Sequence, residues 1–224
     1  TPLEDFNNPR KGGIIAVDLD DGDILIGAAI TDGKHDVMLF SDGGKAVRFD
    51  EDDVRAVGRT ARGVRGMTLD EGQSVIAMLV AEDELQSVLT ATENGYGKRT
   101  PIGEYTRHGR GTKGMIAIQQ SERNGKIVAA TLVHPDDEIM MITDKGVLVR
   151  TRVAEMRELG RATQGVTLIA LDAGTKLSGL QRIVENDAAV PDAEEGNDAS
   201  ADGAANGNNG SANEGDTESG DAAK

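Results

Sequence analysis

Arg59-Thr60-Ala61-Arg62-Gly63-Val64-Arg65-Gly66-Met67 is rich in arginine and glycine and free of acid, in a 224-residue chain whose formal charge is −15. Its end recurs as Arg110-Gly111-Thr112-Lys113-Gly114-Met115 and as Arg161-Ala162-Thr163-Gln164-Gly165-Val166. Counted on the final glycines, Gly66, Gly114 and Gly165, the copies stand 48 and 51 residues apart. A partial copy, Arg10-Lys11-Gly12-Gly13-Ile14, comes 53 residues before Gly66. A basic turn once per unit points to a repeat architecture, because a fixed period of about 20–50 residues marks solenoids and propellers.

Other positions keep the period. Gly44, Gly95 and Gly146 are spaced 51 and 51, as are Arg48, Arg99 and Arg150. An acid follows each arginine by five residues (Asp53, Glu104, Glu155). Within each unit an apolar strand (Val37–Phe40, Leu85–Leu89, Ile139–Ile142) meets a glycine turn, where a positive φ costs glycine nothing. A second strand (Ala46–Phe49, Val147–Thr151) runs through the arginine, and the acidic segment after it suits one helical turn. The basic turn leads to a third strand (Met67–Leu69, Met115–Ile118, Val166–Leu171). A last turn precedes a fourth strand (Ser74–Val80, Ile127–Val133, Leu177–Ile183). Four strands in about 50 residues is the size of a propeller blade. The expected fold is therefore all-β and propeller-like. Residues 1–34 are the end of a preceding blade, with strands within Gly13–Ile30, and the blades span 35–82, 83–133 and 134–186.

Residues from Glu185 onward hold 11 acids and one base, leaving 28 acids and 23 bases in residues 1–184. That segment is Ala, Gly, Asn, Asp, Ser and Glu with little to bury, so residues 187–224 are expected to be a disordered acidic tail. With no cysteine, disulfides and thiolate metal sites are excluded. No apolar run approaches the length of a membrane helix, and the N-terminus is no signal peptide. It lacks an initiator Met and opens inside a unit, as expected for a piece of a longer protein.

Catalytic chemistry finds few candidates. Gly109-Arg110-Gly111-Thr112-Lys113-Gly114 fits a dinucleotide fingerprint in form only, since that motif needs a strand before it and a helix after it. His35, His108 and His134 lack metal-ligand spacing, and His134-Pro135-Asp136-Asp137-Glu138 reads as a solvated loop. Cations do repeat: Arg48, Arg59, Arg62 and Arg65; then Lys98, Arg99, Arg107, Arg110 and Lys113; then Arg150, Arg152, Arg157 and Arg161. Singly, each reads as a solvated charge. As a set they cluster in turns at the blade period, giving a rim of regularly spaced cations. Duplex DNA is a regularly charged polymer whose phosphates pair with guanidinium, and glycine admits close backbone approach. A convex rim implies bending, with phosphate contacts offsetting a few kcal/mol of deformation. Nothing suggests base reading. The alternative is a propeller-type protein-interaction scaffold whose arginines are merely solvated.

Specific stretches resemble a known family: Val37-Met-Leu-Phe-Ser, Val57-Gly-Arg-Thr-Ala-Arg-Gly-Val-Arg-Gly, Leu89-Thr-Ala-Thr-Glu-Asn-Gly-Tyr-Gly-Lys-Arg-Thr, Gln120-Ser-Glu-Arg-Asn-Gly-Lys, Leu148-Val-Arg-Thr-Arg-Val and Gly179-Leu-Gln-Arg-Ile-Val-Glu. Over about residues 6–186 the chain resembles the C-terminal domain of the bacterial DNA gyrase A protein, a six-bladed β-pinwheel. The resemblance implies the end of the third blade followed by the fourth to sixth. It also implies a non-catalytic module that bends double-stranded DNA in a cytoplasmic, chromosome-associated topoisomerase. There the gyrase B protein would complete an A2B2 complex, and ATP and Mg²⁺ would bind outside this fragment. The family's basic box, Gln-Arg-Arg-Gly-Gly-Lys-Gly, is absent here, and neither Tyr96 nor Tyr105 falls where the catalytic tyrosine belongs. The acidic tail is expected to compete with DNA for the cation rim.

Overall fold

The structure, a computed structural model, describes residues 1–184. The acidic tail lies outside the described residues. Eleven strands are present among the described residues: β1 (Asp36–Ser41), β2 (Lys45–Asp50), β3 (Val75–Ala81), β4 (Ser87–Thr92), β5 (Tyr96–Pro101), β6 (Met115–Ile116), β7 (Ile127–Val133), β8 (Glu138–Thr143), β9 (Leu148–Arg152), β10 (Val166–Thr167) and β11 (Leu177–Ile183). Each unit opens with an antiparallel hairpin, β1–β2, β4–β5 or β8–β9. Gly44, Gly95 and Gly146 turn these hairpins, all at φ +79°. The acidic segment after each hairpin forms one short 3₁₀ turn, at Glu51–Asp53, Ile102–Glu104 and Val153–Glu155.

The strand orders are β3-β1-β2-β6, β10-β5-β4-β7 and β11-β8-β9. Four contiguous strands per unit is therefore not the arrangement. Each complete sheet takes three strands from its own unit and its outermost strand from the next: β6 pairs with β2, and β10 with β5. The exchanged strand is short and is fastened by its backbone to the hairpin turn of the unit before. Ala117 and Ile118 donate to the Gly44 carbonyl, and Leu168 and Ile169 to the Gly95 carbonyl. This seat requires glycine. A Cβ added to Gly44 or Gly95 would lie 2.8 or 2.5 Å from the incoming Ile118 or Ile169 carbonyl oxygen.

The exchange explains where the expected strands do not form. Met67–Leu69 and the segment Gly13–Ile30 are not strands. Met67–Leu69 and the start of the earlier segment would pair with the hairpin of a preceding unit, and Ile24–Ile30, the counterpart of β3, with the hairpin of its own unit; neither hairpin is among the described residues. An isolated segment cannot satisfy its backbone in a ladder of its own. Ile15, Ile24 and Ile30 are accordingly exposed. Leu85 also lies outside its expected strand, in a turn where the Asp83 carboxylate accepts from the Leu85 and Gln86 amides.

Alternation on the strands builds the core. Met38 and Phe40 on β1 and Val88 on β4 are fully buried, and pack with Ile102, Tyr105, Ile118 and Ile127 between the first two sheets. Phe40 and Tyr105 meet edge to face with ring centroids 5.9 Å apart, a favoured aromatic geometry. A second cluster (Leu89, Ile139, Met141, Val153, Leu177) joins the second and third sheets, and a third gathers Val47, Phe49 and Met67.

Candidate nucleic-acid interface

The basic turns recur at one period throughout, because Gly63 rather than Gly66 matches Gly114 and Gly165. All three adopt positive φ, at 85°, 74° and 77°. The spacing is then 51 and 51, and the expected 48-residue step disappears. Gly66-Met67 had mimicked Gly114-Met115 by sequence alone. In the corrected register Arg59, Arg110 and Arg161 are equivalent, and Arg62 corresponds to Lys113 and Gln164.

Contacts agree with that register. Arg110 Nε donates to the Asp53 carbonyl at 2.9 Å and Nη1 to the Arg65 carbonyl at 3.1 Å. Arg161, 51 residues on, repeats both bonds, to Glu104 O at 2.7 Å and Ile116 O at 2.8 Å. Arg59 Nη1 donates to Ile15 O at 2.6 Å, and its guanidinium stands 6.0 Å from the Phe6 ring centroid. These three arginines tie each basic turn to the unit before it. A guanidinium bonded to carbonyls keeps its charge, so the turn is both held and positive.

Arg48 and Lys98 do not lie on the surface. Arg48 is 7 % exposed; its Nε donates to Asp36 at 2.6 Å, Nη1 to the Ile102 and Tyr105 carbonyls, and Nη2 pairs with Glu84. Lys98 is fully buried and its Nζ donates to the Gly160 and Arg161 carbonyls. Burial lowers its pKa to about 8, since desolvation disfavours the ammonium form. Both cations serve packing between units. Arg99 does the same through Nε to the Met156 carbonyl at 3.0 Å, the counterpart of Arg48 with Tyr105.

The remaining expected cations face solvent. Arg62 pairs with Asp18 and Asp20 at 3.1 and 2.6 Å, and Lys113 with Asp70 at 2.6 Å. The hydrogen bond from Lys113 holds the Asp70 carboxyl below its ordinary pKa and raises that of the ammonium. Arg107 pairs with Asp36 at 2.8 Å and Asp50 at 3.4 Å. Arg150 pairs with Glu138, and Arg152 approaches the same carboxylate at 3.8 Å. Arg65 is exposed and makes no side-chain bond among the described residues. Arg62 and Lys113 are thus held by exposed carboxylates, pairs worth little in water, whereas Arg107 reaches the buried Asp36 and Arg150 and Arg152 the half-buried Glu138.

Sequence reasoning passed over two further lysines. Lys126 Nζ binds Asp42 at 2.8 Å, and Lys176 Nζ binds Glu93. Each links one unit to the hairpin turn of the previous one; the 51-residue recurrence of Asp42 and Glu93 in those turns was the available signal. Arg123 sits 4.6 Å from the Tyr96 ring centroid.

Asp32, His35 and Glu51, unremarked by sequence spacing, bring one ligand atom each within 4.8 Å of one another. Glu51 already accepts from the His35 amide at 2.9 Å, and its pKa is lowered first by a hydrogen bond from Thr31. The group clasps the loop leading into β1. Tyr105 is buried, which pushes its phenol pKa up and makes it a poor nucleophile. No helix among the described residues is long and apolar enough to cross a membrane.

Comparison with known proteins matches these features. The family profile described as "DNA gyrase C-terminal domain, beta-propeller" matches residues 1–32, 35–82, 86–134 and 137–183. The DNA gyrase A protein of Pseudomonas aeruginosa is 53% identical over 199 residues, covering 87% of this chain and 22% of that protein. The Escherichia coli gyrase A protein is 51% identical over 185 residues, covering 83% and 21%. The chain therefore spans about a fifth of the length of these relatives. A solved DNA gyrase A C-terminal domain superposes with TM-score 0.71 at 30% identity, covering 78% of this chain and 59% of that one. The C-terminal domain of a DNA topoisomerase IV shares the fold, with TM-score 0.77 at 23% identity over 81% of this chain and 57% of that one.

Proposed function

The chain belongs to the β-propeller family of DNA gyrase C-terminal domains, and on that premise we propose that it is a non-catalytic module that binds and bends double-stranded DNA along its basic turns. The observation that carries this reading is the basic turn repeated at 51 residues, held by Arg59, Arg110 and Arg161 while Arg62, Arg65 and Lys113 face solvent. Phosphates would replace the carboxylates of Asp18, Asp20 and Asp70 on Arg62 and Lys113, and meet Arg65 directly. Arg107, Arg150 and Arg152 extend the cationic surface. The carbonyl-bound arginines would set the turn rather than make the first contact.

In this reading the parent is a bacterial, cytoplasmic gyrase A protein that works with gyrase B in an A2B2 complex. The module would support its ATP-dependent negative supercoiling, with ATP and Mg²⁺ bound outside the module. The acidic tail, residues 187–224, would compete with DNA for the rim at the high local concentration a tether confers.

The test is a salt titration of duplex DNA binding by the chain and by a variant with Arg62, Arg65 and Lys113 all changed to Ala. Each lost phosphate contact lowers the slope of log K against log salt by about 0.9. Unchanged affinity and slope would remove these residues from the interface. Negligible, salt-independent DNA binding alongside capture of a protein would favour the scaffold reading.

A further inference from the structure

We propose that Arg123, held over the Tyr96 ring, is the phosphate-binding cation at the joint between the second and third units, in the place that Arg62 and Lys113 fill at the two earlier joints; the proposal rests on the DNA-binding reading above. At the earlier joints one ion pair recurs. Arg62 of one basic turn binds Asp20 at 2.6 Å, and Lys113 of the next binds Asp70 at 2.6 Å. Each of these carboxylates stands two residues before a positive-φ glycine, Gly22 or Gly72, in the last turn of the preceding unit. The basic turn supplies the cation and the opposing turn the acid.

At the later joint both members change. Gln164 takes the position of Arg62 and Lys113, one residue before the glycine of the basic turn. On the opposing turn, two residues before Gly125 with its φ of 73°, Arg123 replaces the acid. The cation has crossed the joint, and no acid has crossed to meet it. Arg123 is exposed and forms no ion pair among the described residues.

The turn that carries Arg123 is firmly set. The fully buried Asn124 side chain accepts from the Ser121 amide at 2.8 Å and donates to the Gln119 and Gln164 carbonyls at 2.9 and 3.1 Å. It thereby fastens this turn to the third basic turn. Asn94 Nδ2 donates to the Arg123 carbonyl at 3.1 Å. The guanidinium lies 4.6 Å from the Tyr96 ring centroid, and a hydrogen bond from Arg123 is the main cause that lowers the Tyr96 phenol below its ordinary pKa. Tyr96 is itself placed by its pairing with Thr167 on the exchanged strand β10. A guanidinium over an aromatic ring is positioned without an anion, and its remaining N–H donors suit a phosphate. A phosphate that reaches Arg62 or Lys113 must displace a carboxylate; at Arg123 it displaces none.

The test is a salt titration of duplex DNA binding by the unaltered chain and by Arg123→Gln, Arg123→Lys and Lys113→Gln. Both side chains are exposed, so the variants keep the fold, as urea unfolding checks. Arg123→Gln should lower the slope of log K against log salt by about 0.9, the worth of one phosphate contact. It should also weaken binding more than Lys113→Gln, which removes the same charge from a carboxylate-held position. Arg123→Lys should keep the slope. An unchanged slope in Arg123→Gln, or a loss no larger than that of Lys113→Gln, overturns the proposal and leaves the DNA-binding reading standing. So does an equal loss of slope in Arg123→Lys, which would make the residue's role structural. Negligible binding by the unaltered chain overturns both.

Discussion

At the residue scale, this protein separates cations that hold the fold from cations that face outward, and charge alone did not distinguish them. The sequence shows which positions are basic; it does not show that Lys98 is buried against two carbonyls contributed by a unit about 60 residues away. Lys98 gives a pH prediction. Its folded pKa of about 8 lies below its ordinary value of 10.5, so the unfolded chain holds the proton more tightly. The charged form burdens the folded state below about pH 8, and that burden lifts as pH rises from about 8 toward 10.5. The unfolding free energy measured in urea should therefore rise across that window relative to Lys98→Met, which lacks the titration. A difference between the two proteins that is constant with pH would show that Lys98 is not perturbed. Arg110 gives a second prediction. Arg110→Ala deletes two guanidinium–carbonyl bonds between units and should cost about 1–3 kcal/mol in the same assay. Arg62→Ala, at a solvent-exposed pair, should leave stability unchanged.

At the element scale, the basic turn and the strand behind it work as one piece. Gly63 and Gly114 have the same backbone sign and different surroundings. A Cβ on Gly63 meets nothing within 4 Å, whereas one on Gly114 collides with the Ala46 carbonyl across the β2–β6 pair. Gly63→Ala should cost about 1–2 kcal/mol, the left-handed backbone penalty alone. Gly114→Ala should cost more and should raise hydrogen exchange at Ala117 and Ile118, whose amides bond to Gly44. Equal losses from the two substitutions would contradict the exchanged-strand packing. The hairpins and their glycine turns were legible because period-2 patterning and turn chemistry are local. The exchange of β6 and β10 was not: a two-residue strand has too little pattern to name its partner, and adjacency in sequence suggested the wrong one. The misplaced register at Gly66 has the same origin, since a Gly-Met pair can match without sharing a conformation.

At the scale of the whole molecule, 51-residue periodicity sets both stability and charge. Arg48 and Arg99 brace successive units at equivalent carbonyls, and Lys126 and Lys176 do so at equivalent carboxylates. The net charge of −15 says little about the proposed DNA-binding surface, since most of it belongs to residues beyond Val184. Deleting residues 187–224 should tighten DNA binding, most at low salt where screening is weak; equal affinity with and without them would exclude a competing tail. The exchanged strand also has a consequence during synthesis. The second sheet owns β4, β5 and β7 by Val133 but is closed only by β10 at Val166–Thr167. A ribosome adding about 5–20 residues per second leaves that edge open for several seconds. Through that interval each nascent sheet offers an unpaired backbone edge to any neighbouring chain, and a pause between units would lengthen the exposure.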